Sequence, residues 1–448
     1  MSTLQIVNSE KVMLTKGATD ELLKKCSHIL LDGEVRDITK EDIDQILVQN
    51  YNFAEEGLRV LGYAFKVTDK EQLTFDDENN LTFVGLTSMI DPPRVESKDA
   101  VEKAIKAGIK PIMITGDHAI TARSIARKIG IFQEGDIVID GITLENMTDE
   151  ELARDLEKIS VYARVAPEHK IRIVNAWQSK GKIVGMSGDG VNDAPALKQA
   201  DIGIAMGITG SEVSKDAADM ILTDDNFATI VKAVTVGRNI FTNIKNAIKY
   251  LLTGNTGAIF VVIATTLLAF FDTKYVVPFA AIQLLFINLV TDSLPAIAIG
   301  TEPGTDEVLK QAPRDPKKPI LMRSTFTAIL VEAGLIAIAV FIGYYIGINT
   351  GEGYVTTFAF LVLCLARLFN GFSCRSDLPL TKIGLFTNKN TIIAFLIGIT
   401  LVSIIIFIPA IGSIFKVMSL NGIQILTIVG LALAPTIVVQ VIKIIRNR

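Results

Sequence analysis

Cysteine, histidine and tryptophan are scarce in this 448-residue chain, at three, three and one. Cys26, Cys364 and Cys374 are too few and too scattered for a disulfide framework. With no Cys-x-x-Cys and no histidine cluster, a zinc centre is excluded as well. The first thirty residues lack a long apolar run, so no cleavable export signal is expected, and the polar half is expected to face a reducing cytoplasm. Charged residues are also thin, 21% against 49% hydrophobic. The mean hydropathy of +0.41 is high for a soluble chain.

The charge that is present divides unevenly. Residues 1–238 hold 28 Lys+Arg and 39 Asp+Glu, net −11, whereas 239–448 hold 16 and 9, net +7. That split excludes a single globular domain, a disordered chain and a basic nucleic-acid binder, so no nucleic-acid partner is expected. It fits an acidic soluble half joined to a membrane half.

Residues 1–90 read as short strands and helices, with an apolar run at 11–14 and a helix over 20–28. Residues 91–225 alternate: strand 110–115, helix 118–129 closed by Gly130, helix 168–180 closed by Gly181, then strands at 182–187 and 201–206. Short strands separated by helices predict a doubly wound parallel sheet, an α/β fold. From about residue 240 there are six apolar stretches: roughly 246–271, 277–299, 325–348, 355–374, 391–413 and 420–442. Each approaches or exceeds the ~20 residues that cross a bilayer core, so an all-α membrane domain of six transmembrane helices is expected. Five Lys/Arg fall in 300–324, three in 375–390, and Lys443, Arg446 and Arg448 in the tail, while the opposite connectors carry only Lys274 and Lys416. The positive-inside rule therefore places the soluble half, the basic loops and both termini in the cytoplasm.

The string Ser-Gly-Asp-Gly-Val-Asn-Asp at 187–193 follows an apolar strand directly. Asp189 then sits at the strand's carboxyl end, where open α/β sheets hold ligands, with Asp193 in the turn into the next helix. Two carboxylates there suit Mg²⁺, and Gly188 and Gly190 permit close backbone approach. Thr115-Gly116-Asp117 likewise ends a strand and precedes a helix, so its hydroxyl and N–H groups suit a phosphoryl group. Lys170 adds a positive charge against developing phosphate charge. Singly, these are an acidic turn and a solvated lysine; jointly, they resemble a haloacid-dehalogenase-type phosphoryl-transfer site.

Further strings extend the likeness: Lys16-Gly17-Ala18, Asp91-Pro-Pro-Arg94, Met-Ile-Thr-Gly-Asp at 113–117 and Ala-Arg-Val-Ala-Pro-Glu-His-Lys at 163–170. With the 187–193 string, they make the chain resemble the carboxyl-terminal half of a P-type cation-transporting ATPase over essentially its whole length. The resemblance implies that Lys16, Gly17, Arg59 and Arg94 bind the nucleotide and that Asp91–Arg94 forms a hinge. It further implies that Thr115, Gly116, Asp117, Lys170, Asn192 and Asp193 serve phosphoryl transfer, with Asp189 holding Mg²⁺. The implied domains are 1–90 (end of a nucleotide-binding domain), 91–238 (phosphorylation domain and stalk) and 239–448 (membrane). The family's Asp-Lys-Thr-Gly-Thr nucleophile string and Thr-Gly-Glu actuator string do not occur in the 448 residues. The sheet is accordingly expected to lack its central strand and to be incomplete. The chain is expected to be partial, needing an amino-terminal half or subunit, or else to be a remnant.

In the second apolar stretch, Asn288, Thr291 and Asp292 have i, i+3, i+4 spacing and share one face of a regular helix. Pro295 cannot bond the Thr291 carbonyl, which predicts a freed oxygen beside a carboxylate and an amide. Such a set suits Ca²⁺ or another hard cation. Asn255 in the first stretch adds either another oxygen or a bond between helices. By resemblance these four residues are most similar to a calcium pump's fifth and sixth helices. Ala258 and Arg367 stand at or next to positions where the sarcoplasmic-reticulum type has glutamates, so a fixed cation is expected to replace one of two ions. Glu332 is expected to pair between helices or to snorkel. The expected function is ATP-driven Ca²⁺ transport at the cell membrane by a multi-pass protein, with Mg²⁺ and ATP as cofactor and substrate. Manganese or sodium is the alternative ion, and weak nucleotide or Mg²⁺ binding without pumping the alternative function.

Overall fold

The structure is a computed structural model of the chain that describes residues 1–89 and 92–446. Its contacts divide into two units, 1–232 and 233–448.

The first unit opens with a six-stranded sheet. Its strands are β1 (Ser2–Val7), β2 (Glu10–Gly17), β3 (Cys26–Leu31), β4 (Glu34–Asp37), β5 (Arg59–Val67) and β6 (Leu81–Met89), in the order β1-β2-β5-β6-β3-β4. All pairs are antiparallel except β3 with β6. Helices α1 (Thr19–Leu23) and α2 (Lys40–Glu55) accompany it, and the core gathers Met13, Leu22, Leu23, Ile29, Ala64, Leu81 and Phe83. The helix expected over 20–28 is only five residues long, Thr19–Leu23; its second half is β3. The pairing of Cys26–Leu31 with β6 overrides helix propensity there.

After α3 (Val95–Lys106) the chain alternates: β7 (Met113–Ile114), α4 (Ala119–Ile129), β8 (Ile137–Asp140), α5 (Gly141–Asn146), α6 (Asp149–Asp155), β9 (Ile159–Ala163), α7 (Pro167–Ser179), β10 (Gly185–Gly188), α8 (Ala194–Gln199), β11 (Ile202–Met206), α9 (Glu212–Ala217) and β12 (Met220–Leu222). Gly130 closes α4 at φ 86° and Gly181 follows α7 at φ 73°, the left-handed backbone that favours glycine. The strands are all parallel, as expected, but form two sheets, β7-β9-β8 and β10-β11-β12. Among the described residues, β7 and β10 do not pair with each other. They are nevertheless neighbours, because Ile114 and Val184 pack against both apolar clusters that flank these edges.

The second unit contains six helical segments long and apolar enough to cross a membrane. They are α10 (Phe227–Ala269, beginning in the first unit), then α11 (Ala281–Phe286) continued by a π turn (Ile287–Asp292) and α12 (Ser293–Gly300), then α13 (Arg323–Thr350) and α14 (Tyr354–Cys374). The short α15 (Leu380–Ile383) leads to α16 (Lys389–Phe407), α17 (Pro409–Ile414) and α18 (Gly422–Arg446). The fifth apolar stretch is thus two helices, with Pro409 opening the second. The central span is α14, whose segment from Phe358 to Ala366 is wholly buried. Tyr344 on α13 donates to the Val276 carbonyl at 2.7 Å, tying α13 to the connector before α11.

Several buried charged groups in this unit are paired. Glu332 on α13 meets Lys249 on α10 at 2.7 Å, both side chains under 10% exposed, so it pairs between helices rather than snorkelling. Arg375, fully buried, grips Glu302 at 2.8 and 2.7 Å, and Asn388 joins the same carboxylate at 2.7 Å. Removing one partner of a buried pair leaves an uncompensated charge, at a cost of about 3–5 kcal/mol. Glu332→Leu should therefore lower the thermal midpoint of the purified protein markedly, and adding Lys249→Met should restore most of the loss. Melting curves of the single and double variants in detergent check this.

Candidate functional site

Two groups of side chains carry the chemistry read from the sequence, one in each unit. In the first unit, β10 delivers Gly188, Asp189 and Gly190 into a short 3₁₀ turn (Val191–Asp193). Asp193 is buried and folds back: one oxygen accepts from the amides of Asp189 (3.2 Å) and Gly190 (3.1 Å), and the other pairs with the Lys170 ammonium. A Cβ at Gly188 would lie 2.5 Å from the Asp193 Cβ, so only glycine admits this closure. Burial works to raise the Asp193 carboxyl, but Lys170 and the Gly190 and Asp189 amides more than offset it and hold it below the ordinary range.

Asp193 therefore serves as a brace. It places Lys170 beside the turn and leaves the exposed Asp189 carboxylate, with exposed Asn192, turned to solvent. Among the described residues no three acidic, His or Cys side chains cluster as a metal cage. One free carboxylate at a strand end nonetheless fits Mg²⁺, which binds through one or two carboxylates, waters and a substrate phosphate. Asp189 would hold it.

At the end of β7, the Thr115 hydroxyl accepts from the Asp117 amide (3.1 Å) and donates to the Asp117 carboxylate (3.3 Å), while the Thr115 amide is fixed to the Tyr162 carbonyl (2.9 Å). Gly116 is open to solvent, with no atom within 4 Å of an added Cβ. Arg59, at the start of β5, reaches Asp117 at 3.8 Å. Lys16 on β2 is cross-paired with Tyr63 on β5, so Lys16, Tyr63 and Arg59 share the sheet face opposite the core side chains of Thr15 and Ala64. Tyr63 was not singled out from the sequence; register alone sets it beside Lys16. Gly17, opposite Gly62, leaves open space above the strand. Arg94 donates to the Asp224 carbonyl at 3.3 Å, away from Lys16; Asp91, the other end of the expected hinge, lies outside the described residues.

In the second unit a cleft of about 550 Å³ is lined by Asn255, Asn288, Asp292 and Arg367 among apolar side chains. The Arg367 guanidinium lies within it: Nη1 donates to both Asp292 oxygens at 2.6 Å and Nη2 to the Asn255 carbonyl oxygen at 3.1 Å. Gly254 makes this possible, since a methyl there would stand 2.8 Å from the arginine Nε. The π turn replaces the regular helix assumed from the i, i+3, i+4 spacing, and the three residues divide. Asn288 and Asp292 face the cleft, but Thr291 does not line it. Its hydroxyl bonds the Ile287 carbonyl at 2.9 Å, and its own carbonyl accepts from the buried Tyr250 hydroxyl at 2.5 Å. The oxygen expected to be freed by Pro295 is thus engaged by a residue of α10. A π turn at such a place is a common mark of a functional site.

Comparison with known proteins adds an independent finding. Residues 1–96 match the family description "P-type ATPase, cytoplasmic domain N", and residues 276–445 match "Cation transporting ATPase, C-terminus". The chain is 46% identical over 452 aligned positions to the calcium-transporting ATPase lmo0841 of Listeria monocytogenes, covering 100% of this chain and 51% of that protein. It is 45% identical to calcium-transporting ATPase 1 of Lactococcus lactis (100% and 51%) and 38% identical to the calcium-transporting ATPase of Bacillus subtilis (97% and 49%). The chain spans about half the length of these curated relatives.

The close packing of Gly254 on Arg367 generates a prediction. Gly254→Ala should push the guanidinium off Asp292 and cost about 1–3 kcal/mol, the usual penalty of overpacking. In a double-mutant cycle with Asp292→Asn the two losses should be non-additive by more than about 0.5 kcal/mol, read from thermal midpoints.

Proposed function

Because the chain belongs to the P-type cation-transporting ATPases, we propose that it is the carboxyl-terminal half of an ATP-driven calcium pump. The observation that carries this reading is the meeting of Asn255, Asn288 and Asp292 in one cleft between membrane-capable helices. These are hard oxygen donors, and an intramembrane carboxylate is functional by default.

Lys16, Gly17 and Arg59 hold the nucleotide, with Tyr63 offering an aromatic face beside Lys16. Thr115, Gly116 and Asp117 hold the oxygens of the phosphoryl group in place through the Thr115 hydroxyl and the Gly116 amide. Lys170, held by Asp193, neutralises its charge. Asp189 would hold Mg²⁺, which when bound would supply positive charge against the phosphoryl group. Arg94 acts at the hinge through Asp224, and Asn192 borders the phosphoryl pocket. The acid that takes the phosphoryl group lies in sequence beyond these 448 residues, on a strand that fits between β7 and β10. That segment belongs either to the same polypeptide or to a separate subunit.

In the membrane, Asp292 faces one Ca²⁺ together with Asn255 and Asn288. Arg367 stands where a second ion would otherwise lie: its fixed charge already neutralises one face of Asp292. Thr291 acts by shape, anchoring the π turn to Tyr250. Ca²⁺ leaves the cytoplasm, with the soluble half, basic loops and tail on the cytoplasmic side of the cell membrane.

Membranes bearing this chain together with the segment that carries the phosphorylated acid should form an acid-stable phosphoprotein from ATP only when Ca²⁺ is present. Asp292→Asn should abolish that dependence while leaving nucleotide binding unchanged. Phosphorylation that is equally strong without Ca²⁺, or that follows manganese or sodium instead, would contradict the ion assignment. Intact mass from the native membrane separates the two arrangements: about twice 48.7 kDa for one polypeptide, 48.7 kDa for a subunit or remnant.

A further inference from the structure

Asp225, which no motif singled out, follows β12 at a left-handed φ of 47° and is buried. Its carboxylate closes a ring of four donors from one loop. Oδ1 accepts from the amides of Gly207 (2.7 Å) and Ile208 (3.0 Å), and Oδ2 from the amide (2.8 Å) and hydroxyl (2.9 Å) of Thr209. Burial acts to raise this carboxyl, yet the Ile208 and Thr209 amides, the Thr209 hydroxyl and the Gly207 amide hold it down at about 2. It is an anion throughout the physiological range.

The loop it grips leads straight to the magnesium carboxylate. Two residues after Thr209, the Ser211 amide donates to the Asp189 carbonyl at 2.8 Å, and the fully buried Ser214 hydroxyl bonds the same oxygen at 3.1 Å. The loop has no freedom to reach this place otherwise. A Cβ at Gly210 would stand 1.9 Å from the Met206 carbonyl, and one at Gly207 would stand 2.6 Å from the Leu222 carbonyl. On the other side of Asp225, its chain neighbours hold the first turn of α10. The Asp224 carboxylate accepts from the Thr229 hydroxyl at 2.6 Å, the Asn226 side chain accepts from the Ala228 amide at 2.9 Å, and Arg94 bonds the Asp224 carbonyl.

We propose that Asp225 is a positioning residue for Asp189: it fixes loop 207–211, which fixes the Asp189 backbone and hence the direction of the carboxylate that holds Mg²⁺. Through Asp224 and Asn226 the same strap joins that loop to the start of α10. The inference rests on the reading of Asp189 as a magnesium ligand, although its structural part does not. A second carboxylate on the same sheet, Asp201, also accepts from backbone, at the Val184 amide (2.8 Å), but stands at the opposite strand ends, remote from Asp189. It is the natural control.

The test uses the whole chain in detergent, with two readouts: hydrogen exchange of peptides covering 207–214 without metal, and Mg²⁺ affinity by calorimetric titration. Asp225→Asn should raise exchange at 207–211 at least tenfold and weaken Mg²⁺ about tenfold. Asp201→Asn should lower the melting midpoint without moving either readout. Thr209→Val, which loses only the hydroxyl donor, should weaken Mg²⁺ two- to threefold and serves if Asp225→Asn does not fold. Unchanged exchange at 207–211 in Asp225→Asn, or unchanged Mg²⁺ affinity in Asp225→Asn when Asp189→Asn loses the binding that the wild type shows, overturns the proposal. Absence of any Asp189-dependent Mg²⁺ binding in the wild type would instead overturn the magnesium reading, with the exchange result still deciding whether Asp225 holds the loop.

Discussion

An ionised carboxylate among apolar helices persists only if something neutralises it, and in this protein that partner is Arg367. Both Asp292 oxygens are bound by one guanidinium nitrogen, and a second nitrogen takes the Asn255 oxygen. The rest of the membrane half is arranged around this pairing. Gly254 removes the side chain that would block the arginine. The π turn brings Asp292 round to meet it, and Tyr250 fastens the loosened backbone at Thr291. Deeply buried α14 supplies a rigid mount, so the arginine cannot easily withdraw.

The same economy of unpaired charge runs through the rest of the membrane half. Glu332 is matched by Lys249, and Glu302 by Arg375 and Asn388. Around α10 the amides of Asn239, Asn243 and Asn246 bind carbonyls of Thr305, Glu302 and Arg375, successive positions on one helical face. These bonds hold residues 239–246 of a single uninterrupted element of 43 residues, about 65 Å at 1.5 Å per residue. Its first turn is capped by Asn226 and its later turns carry Asn255.

Much of this was legible in the sequence because it depends on period and length. Six apolar stretches became six spans, and Gly130 and Gly181 marked helix ends through the backbone they alone adopt readily. Strand–helix alternation announced the parallel sheets. What could not be read depends on contacts distant along the chain. Arg367 lies 75 residues from Asp292, and no local pattern states that the guanidinium lands on both oxygens. The π turn is a tertiary adjustment invisible to an i, i+4 rule. Asp193 was legible as an acid, but its role as a brace for Lys170 follows only once Gly188 lets the turn close. Residues 20–28 misled because their local propensity is helical, whereas the pairing of Cys26–Leu31 with β6 is decided elsewhere in the chain.

The central claim is that Arg367 occupies, with its own charge, the place of a transported ion. The measurement that bears on it most directly is the number of Ca²⁺ bound per complete pump at saturation, counted by equilibrium dialysis with radiolabelled calcium. One ion for the wild type, with a second gained in Arg367→Glu, is the result this account predicts. Two ions in the wild type, or an unchanged single ion in Arg367→Glu, would contradict it.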